Sequence, residues 1–336
     1  MTRFIRSAFL VGSSMLCACS ESADTQTSQT SEDPGTTGTT GGPSATADPD
    51  PSSSSGSLDP TSDTSAEGSS GSSGSSSEES STGDGACVPY APWLYADFEQ
   101  TPVGGSLGGD APFNTAGRTV STDAQAYAGS RAAQMEIRST DGGGFGQWGG
   151  IITLPDVPEG ETVWVRLWAY WPSDFEFSAT PWMKFIRLHD RRPDGSNGGY
   201  NDLYIDDADG PESVLRIIKE THDVWEVYDG DPIPRDQWER YEIQLVVDDT
   251  PVDDGGEARF RVWRDDTLIF DRTDVPTVSE PGGVLDGLYL FTYWNNEMPP
   301  DNVMYIDELA VTFGDAPPPR VDDNGLPYFG DWLPCR

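Results

Sequence analysis

Basic residues are scarce in this 336-residue chain. Twenty Lys and Arg stand against 57 Asp and Glu, a formal net charge of −37. Lys184 and Lys219 are the only lysines, and His189 and His222 the only histidines. A field of that sign disfavours approach to nucleic acid, anionic lipid or polyanionic glycan unless a local basic cluster overrides it. Cysteine is scarce as well, with four residues and no His–Cys grouping, which argues against a zinc site. No stretch sustains a capped helical period, and no internal repeat is evident. Missing helices point to strands.

The N-terminus carries Arg3 and Arg6, then an apolar run Ala8–Leu16 broken by Gly12, Ser13 and Ser14, then Leu16-Cys17-Ala18-Cys19. A charged start, a short apolar stretch and small residues read as an export signal. The run is too short to span a bilayer, which takes about 20 residues. The pattern resembles the lipobox of bacterial lipoproteins. The resemblance implies a signal peptide over 1–18, cleavage before Cys19 and a lipid thioether on its sulfur. Several acyl chains would anchor firmly, since each buried CH₂ contributes about 0.8 kcal/mol. The expected location is outside the cytoplasm, lipid-anchored at the outer membrane or cell surface. An ordinary secretory signal is the alternative, with the same export.

Residues 20–86 hold one large apolar residue, Leu58, and no Lys, Arg or aromatic. Such a segment cannot offset its chain entropy by burial, so 19–86 is expected to be a disordered linker. Its root-mean-square span is on the order of 45 Å by square-root scaling. It holds 12 of the acids, which leaves 45 acids and 18 bases in 87–336, a net of −27. Those 250 residues contain all 11 Trp and all 12 Tyr and form one expected domain. With Cys17 removed and Cys19 lipidated, Cys87 and Cys335 remain, and an exported context permits a disulfide between them. Two free thiols are the alternative.

Alternating apolar segments bounded by Gly, Pro, Asp and Asn predict strands at Leu94–Phe98, Ala132–Arg138, Gly150–Leu154, Thr162–Trp171, Trp182–His189, Tyr200–Ile205, Val214–Lys219, Val224–Tyr228, Trp238–Val247, Ala258–Arg264, Leu268–Asp271, Gly287–Trp294 and Met304–Phe313. Many short strands predict an all-β sandwich or jelly roll, with Pro317–Arg336 as an irregular strap. In Thr162–Trp171 a period of two places Val163, Val165, Leu167 and Ala169 on a core face. Trp164, Arg166, Trp168 and Tyr170 take the other face and suit an open sugar-binding trough, with Trp148, Tyr293 and Asn295 as further contacts. The alternative is a second layer of core. The segment Pro181–Arg192 is the one basic cluster. Alternation puts Arg187 and His189 on one face and Lys184 on the other, unless a bulge intervenes.

In order along the chain, Tyr95-Ala96-Asp97-Phe98-Glu99, Val163–Tyr170, Trp182-Met183-Lys184-Phe185, Trp238–Ile243, Arg261–Asp265, Tyr293-Trp294-Asn295 and Tyr305–Glu308 resemble concanavalin A-like jelly rolls of the polysaccharide-lyase type, such as alginate and glucuronan lyases. The resemblance covers nearly all of 93–313. It implies a sandwich of two antiparallel sheets and β-elimination on a uronate glycan. It implies Lys184, Arg187, His189, Tyr200 and Tyr204 as catalytic candidates: Arg187 or Arg166 would neutralise the carboxylate, His189 would act as base and a Tyr would move protons. Gln147 or Asn295 would be the amide neutraliser. No cofactor is required. A structural calcium between first and last strands would take Glu99 and Asp307. A non-catalytic glycan-binding module is the rival from another class. A glycoside hydrolase is weaker, because adjacent Asp307 and Glu308 should point to opposite faces.

Overall fold

Strand periodicity carries through to the architecture. A computed structural model describes residues 89–107, 117–141, 149–177, 182–206, 213–222, 224–294, 301–314 and 316–335, all within the unit Glu79–Arg336. The expectations for Cys19, Cys87, Gln147, Trp148, Asn295 and the linker lie outside them, as do the side chains of Trp182 and Tyr293. Cys335 is disulfide-bonded. Among the described residues there is no α-helix.

The strands are β1 (Leu94–Ala96), β2 (Thr119–Thr122), β3 (Ala132–Ile137), β4 (Gly150–Pro158), β5 (Thr162–Tyr170), β6 (Trp182–Arg191), β7 (Asn197–Asp206), β8 (Val214–Lys219), β9 (Val224–Val227), β10 (Trp238–Val246), β11 (Arg259–Arg264), β12 (Thr267–Arg272), β13 (Val284–Trp294), β14 (Asn302–Phe313), β15 (Arg320–Val321) and β16 (Pro327–Tyr328). Each expected strand is present. The alternation reading misses β2 and the β15–β16 hairpin. Two antiparallel sheets form. The first runs β12-β11-β10-β5-β14-β3-β2, with β1 also on β14. The second runs β4-β13-β6-β7-β8-β9.

One apolar cluster joins the inner faces. The first sheet contributes Val163, Val165, Leu167 and Ala169 of β5 and Ile243 and Leu245 of β10; the second contributes Leu188, Leu203, Ile217 and Leu288. Each fully buried side chain of this kind contributes roughly 1.5–3 kcal/mol.

Bulges interrupt the alternation where two neighbours are both needed inside. On β6 the pairing with β7 shifts between Lys184 and Ile186, and Phe185 and Ile186 both enter the core. On β13 the pairing with β6 shifts between Leu290 and Tyr293, and Leu290 and Phe291 both enter. On β14 the shift lies between Asp307 and Ala310, with Glu308 at φ 52. Asp307 there pairs with Trp168 of β5, and Glu308 meets the Tyr95 hydroxyl. Both side chains therefore leave the core on the same outer side, which corrects the expectation of opposite faces.

The C-terminal strap covers the outer face of the first sheet. Phe329 and Trp332 pack with Trp164 and Ala310 in a second apolar cluster. Glu242 of β10 accepts the backbone N–H groups of Phe329 and Gly330, each at 2.7 Å. The Arg166 guanidinium donates to the carbonyls of Trp332 and Glu308.

Candidate active site on the outer face of the second sheet

The strap settles the fate of the aromatic face. Trp164 and Trp168 are buried and Arg166 is completely so. Trp168 stacks on Tyr127 with ring centroids 3.7 Å apart. Tyr170 alone of the three aromatics keeps partial exposure, with its hydroxyl 3.3 Å from Asp236. The expected sugar trough over Trp164, Arg166 and Trp168 is therefore a second core layer. Its outward aromatics are covered by Phe329, Trp332 and Tyr127 rather than left for a ligand. Arg166 is also removed as a carboxylate neutraliser, because its buried guanidinium is held by the carbonyls of Trp332 in the strap and Glu308 in β14.

The calcium expectation meets a similar obstacle. Glu99 accepts the N–H groups of Ser130 and Arg131 at 2.6 and 2.9 Å. Asp307 accepts those of Tyr127 and Ala128 at 2.9 and 3.1 Å. Both carboxylates pin the loop after β2. N–H groups pointing at these oxygens would repel a cation, so the residues present do not fit the ion. Among the described residues no group of three or more His, Cys, Asp or Glu could hold a metal. Burial pushes the Asp307 carboxyl up to about 8.

The basic cluster has the opposite outcome. The Phe185 bulge reverses side-chain parity between Lys184 and Arg187. Lys184, Arg187 and His189 consequently share the outer face of the second sheet. The β6–β7 register sets Lys184 opposite Tyr204, Arg187 opposite Asp202 and His189 opposite Tyr200. All five catalytic candidates thus stand in one patch on two paired strands.

Their contacts form a continuous network. Arg187 Nε donates to Asp202 Oδ1 at 2.8 Å, and Arg187 Nη2 to Glu220 Oε1 at 2.9 Å. Lys184 Nζ donates to the same Glu220 oxygen at 2.8 Å, and the Tyr204 hydroxyl donates to that oxygen at 2.9 Å. The Arg187 guanidinium lies 3.6 Å from the Tyr200 ring centroid. His189 Nδ1 is 2.5 Å from Asp286 Oδ1, and Arg191 reaches Asp286 Oδ2 at 2.7 Å. Tyr289 of β13 completes an aromatic corner, 5.3 Å from Tyr200 and 5.9 Å from His189. Gly287, opposite His189, leaves room here: a Cβ would come 2.9 Å from the Tyr289 ring.

Burial sets the protonation states. Tyr204 and Tyr200 are held well above the ordinary phenol value, Tyr204 by burial and then by Asp202 and Glu220, Tyr200 by burial and then by Tyr289. Both are therefore neutral proton donors. Burial, reinforced by Arg187, lowers the Lys184 ammonium. Burial would raise Glu220, but Arg187 and Lys184 outweigh it and hold the carboxyl low. Complete burial pushes Asp202 up to about 6 against the pull of Arg187.

The sequence reading missed Glu220, Asp286, Tyr289 and Trp225. Trp225 on the edge strand β9 is 37% exposed, packs edge-on against Tyr204 at 6.0 Å and lies 5.4 Å from the Arg216 guanidinium. Glu220 belongs to a single 3-10 turn, Glu220–His222, that no periodicity announces. His222, on that same turn, is exposed and contacts Thr221.

No family model matches the sequence, and no curated protein does. Solved structures do match. A mutant of alginate lyase Aly36B with alginate trisaccharide is 11% identical, at TM-score 0.50 over 65% of this chain and 97% of that one. An endo-β-1,4-glucuronan lyase from the fungus Trichoderma reesei is 16% identical, at TM-score 0.46 over 66% and 95%. Alginate lyase vAL-1 from Chlorella virus is 13% identical, at TM-score 0.46 over 66% and 99%. At such identities the likeness to Aly36B speaks for the fold alone: the chain has the jelly-roll β-sandwich on which that lyase is built.

Proposed function

We propose that the outer face of the second sheet is a polysaccharide lyase site that cleaves uronate-containing glycans by β-elimination. The observation that carries this reading is the Phe185 bulge, which gathers Lys184, Arg187, His189, Tyr200 and Tyr204 on one face. In the reaction a base takes the proton at C5, next to the carboxylate. The electron pair becomes the C4=C5 double bond, the C4–O bond breaks and the leaving oxygen takes a proton. Charge building on the carboxylate is the largest demand. Lys184 and Arg187 meet it, with Arg187 held by buried Asp202. His189 serves as base: Asp286 engages Nδ1, which leaves Nε2 for the C5 proton. Tyr200, protonated in its buried setting, supplies the proton to the leaving oxygen, while the Tyr204 hydroxyl, also protonated, donates to the carboxylate. The shared fold adds support, since Aly36B is an alginate lyase solved with an alginate trisaccharide. We also propose export and lipid anchoring through Cys19, which would bring the site to extracellular polysaccharide.

The test is incubation with polymannuronate, polyguluronate, polyglucuronate and polygalacturonate, read by ultraviolet absorbance of unsaturated chain ends. Product from any of them supports the reading. No product from all four, with glycan affinity retained, favours a non-catalytic glycan-binding module. One observation favours that second reading: Lys184, Arg187, His189 and Arg191 each face a carboxylate of the chain itself.

A further inference from the structure

Glu220 is an unusual member of the site. Its Oε1 accepts three donors at 2.8–2.9 Å: Lys184 Nζ, Arg187 Nη2 and the Tyr204 hydroxyl. That is the reception a ligand carboxylate would need. The donors come from β6 and β7 and are buried, whereas the Glu220 side chain is 27% exposed and comes from the turn after β8. Arg187 has anchors other than Glu220. Arg187 is fastened by Asp202 and lies over Tyr200, and Lys184 and Tyr204 sit opposite each other in the strand register. The cradle is buried and its occupant is peripheral.

We propose that Lys184, Arg187 and Tyr204 form a receptor for the carboxylate of a hexuronate unit, and that Glu220 is a built-in occupant which that unit displaces. This rests on the reading of the face as a uronate site and names the residue that controls entry. A uronate offers the same charge and the same pair of acceptor oxygens as Glu220, so the exchange conserves the donors' hydrogen bonds. A neutral sugar offers a hydroxyl, which cannot replace a carboxylate between two cations. Glu220 therefore screens for uronates, and it lowers their apparent affinity by the fraction of time it occupies the cradle.

The test uses the whole chain with free D-glucuronate and D-mannuronate as probes and D-glucose as control, read by calorimetry and by thermal shift. Glu220→Ala should bind the uronates at least ten-fold more tightly than the wild type, with no gain for glucose. Glu220→Gln, which keeps the shape and removes the charge, should show a smaller gain of the same selectivity and covers the case in which the alanine variant does not fold. Adding Lys184→Met should abolish the gain. No uronate gain in either Glu220 variant, or a gain that survives Lys184→Met, overturns the proposal. The lyase reading is scored separately: unsaturated product without a uronate gain leaves it standing alone, and a gain without product from any polymer leaves only the receptor.

Discussion

Replacing Asp202 with asparagine exposes the energetic tension in the site. The carboxyl is completely buried, and its one charged partner at hydrogen-bond distance, Arg187, is shared with Glu220. Burial outweighs that pairing and raises the carboxyl from 3.8 to about 6. A folded-state value above the unfolded one means that the native state holds the proton more tightly. The stability this contributes is fully present below pH ~4 and is lost as pH rises through about 6. The gap between the two values corresponds to about 3 kcal/mol once both states are ionised. Asparagine cannot ionise, so Asp202→Asn should gain on the wild type by roughly that amount between pH 4 and pH 7.5. Urea unfolding followed by tryptophan fluorescence at a series of pH values reads the effect of the substitution, because carboxylates remote from the site cancel in the difference. The refuting result is the opposite slope, a variant that loses ground as pH rises. That would mean the Arg187 pairing dominates and breaking it carries the usual penalty of about 3–5 kcal/mol for a severed buried pair.

Other outcomes separate chemistry from scaffold. Lys184→Ala and His189→Ala should each lower polyuronate turnover by about 100-fold or more, with circular dichroism unchanged, since general acid–base and charge-stabilising groups typically contribute on that scale. Trp225→Ala should weaken oligosaccharide binding about ten-fold by titration calorimetry while barely moving the melting temperature, because the ring stands half-open on an edge strand. Arg166→Ala should do the reverse. Stranding the buried carbonyls of Trp332 in the strap and Glu308 in β14 should cost about 3–5 kcal/mol in urea unfolding, with glycan affinity retained.

Strand positions were legible because alternation is a local property, and each interval with a clean period of two became a strand. Partner choice for an outward face is not local. Val163, Val165, Leu167 and Ala169 lie on the core face that alternation predicts, yet the fate of Trp164 and Arg166 depends on Phe329 and Trp332, more than 160 residues away. The strap's own irregular sequence gave no hint that it would supply the covering aromatics. The bulge at Phe185 was legible only as a condition. Two adjacent apolar residues inside a basic strand allow either parity, and the demand for Phe185 beside Trp171 and Tyr241 decides it, at ring-centroid distances of 5.2 Å each. Glu220 and Asp286 were invisible for a related reason. Acidic residues are so abundant here that one carboxylate near a turn carries no signal until the cations it serves are placed.

Acid abundance also poses a problem that a uronate site must solve. A domain with a net charge of −27 repels a polyuronate at long range, while Lys184 and Arg187 attract one carboxylate at contact. These effects act over different lengths. The Debye length is about 30 Å at 0.01 M salt and about 8 Å at 0.15 M, so salt removes the distant repulsion well before it weakens contacts of 2.8–2.9 Å in a partly buried cradle. Most enzymes that capture charged polymers by steering lose association rate with added salt. Here the sign reverses: stopped-flow association with a polyuronate should accelerate from 10 to 150 mM salt, and association with a neutral glucan should not change. A rate that falls with salt would mean that attraction outside the cradle governs capture, and that the paired cations of the outer face present a net positive field despite their carboxylate partners.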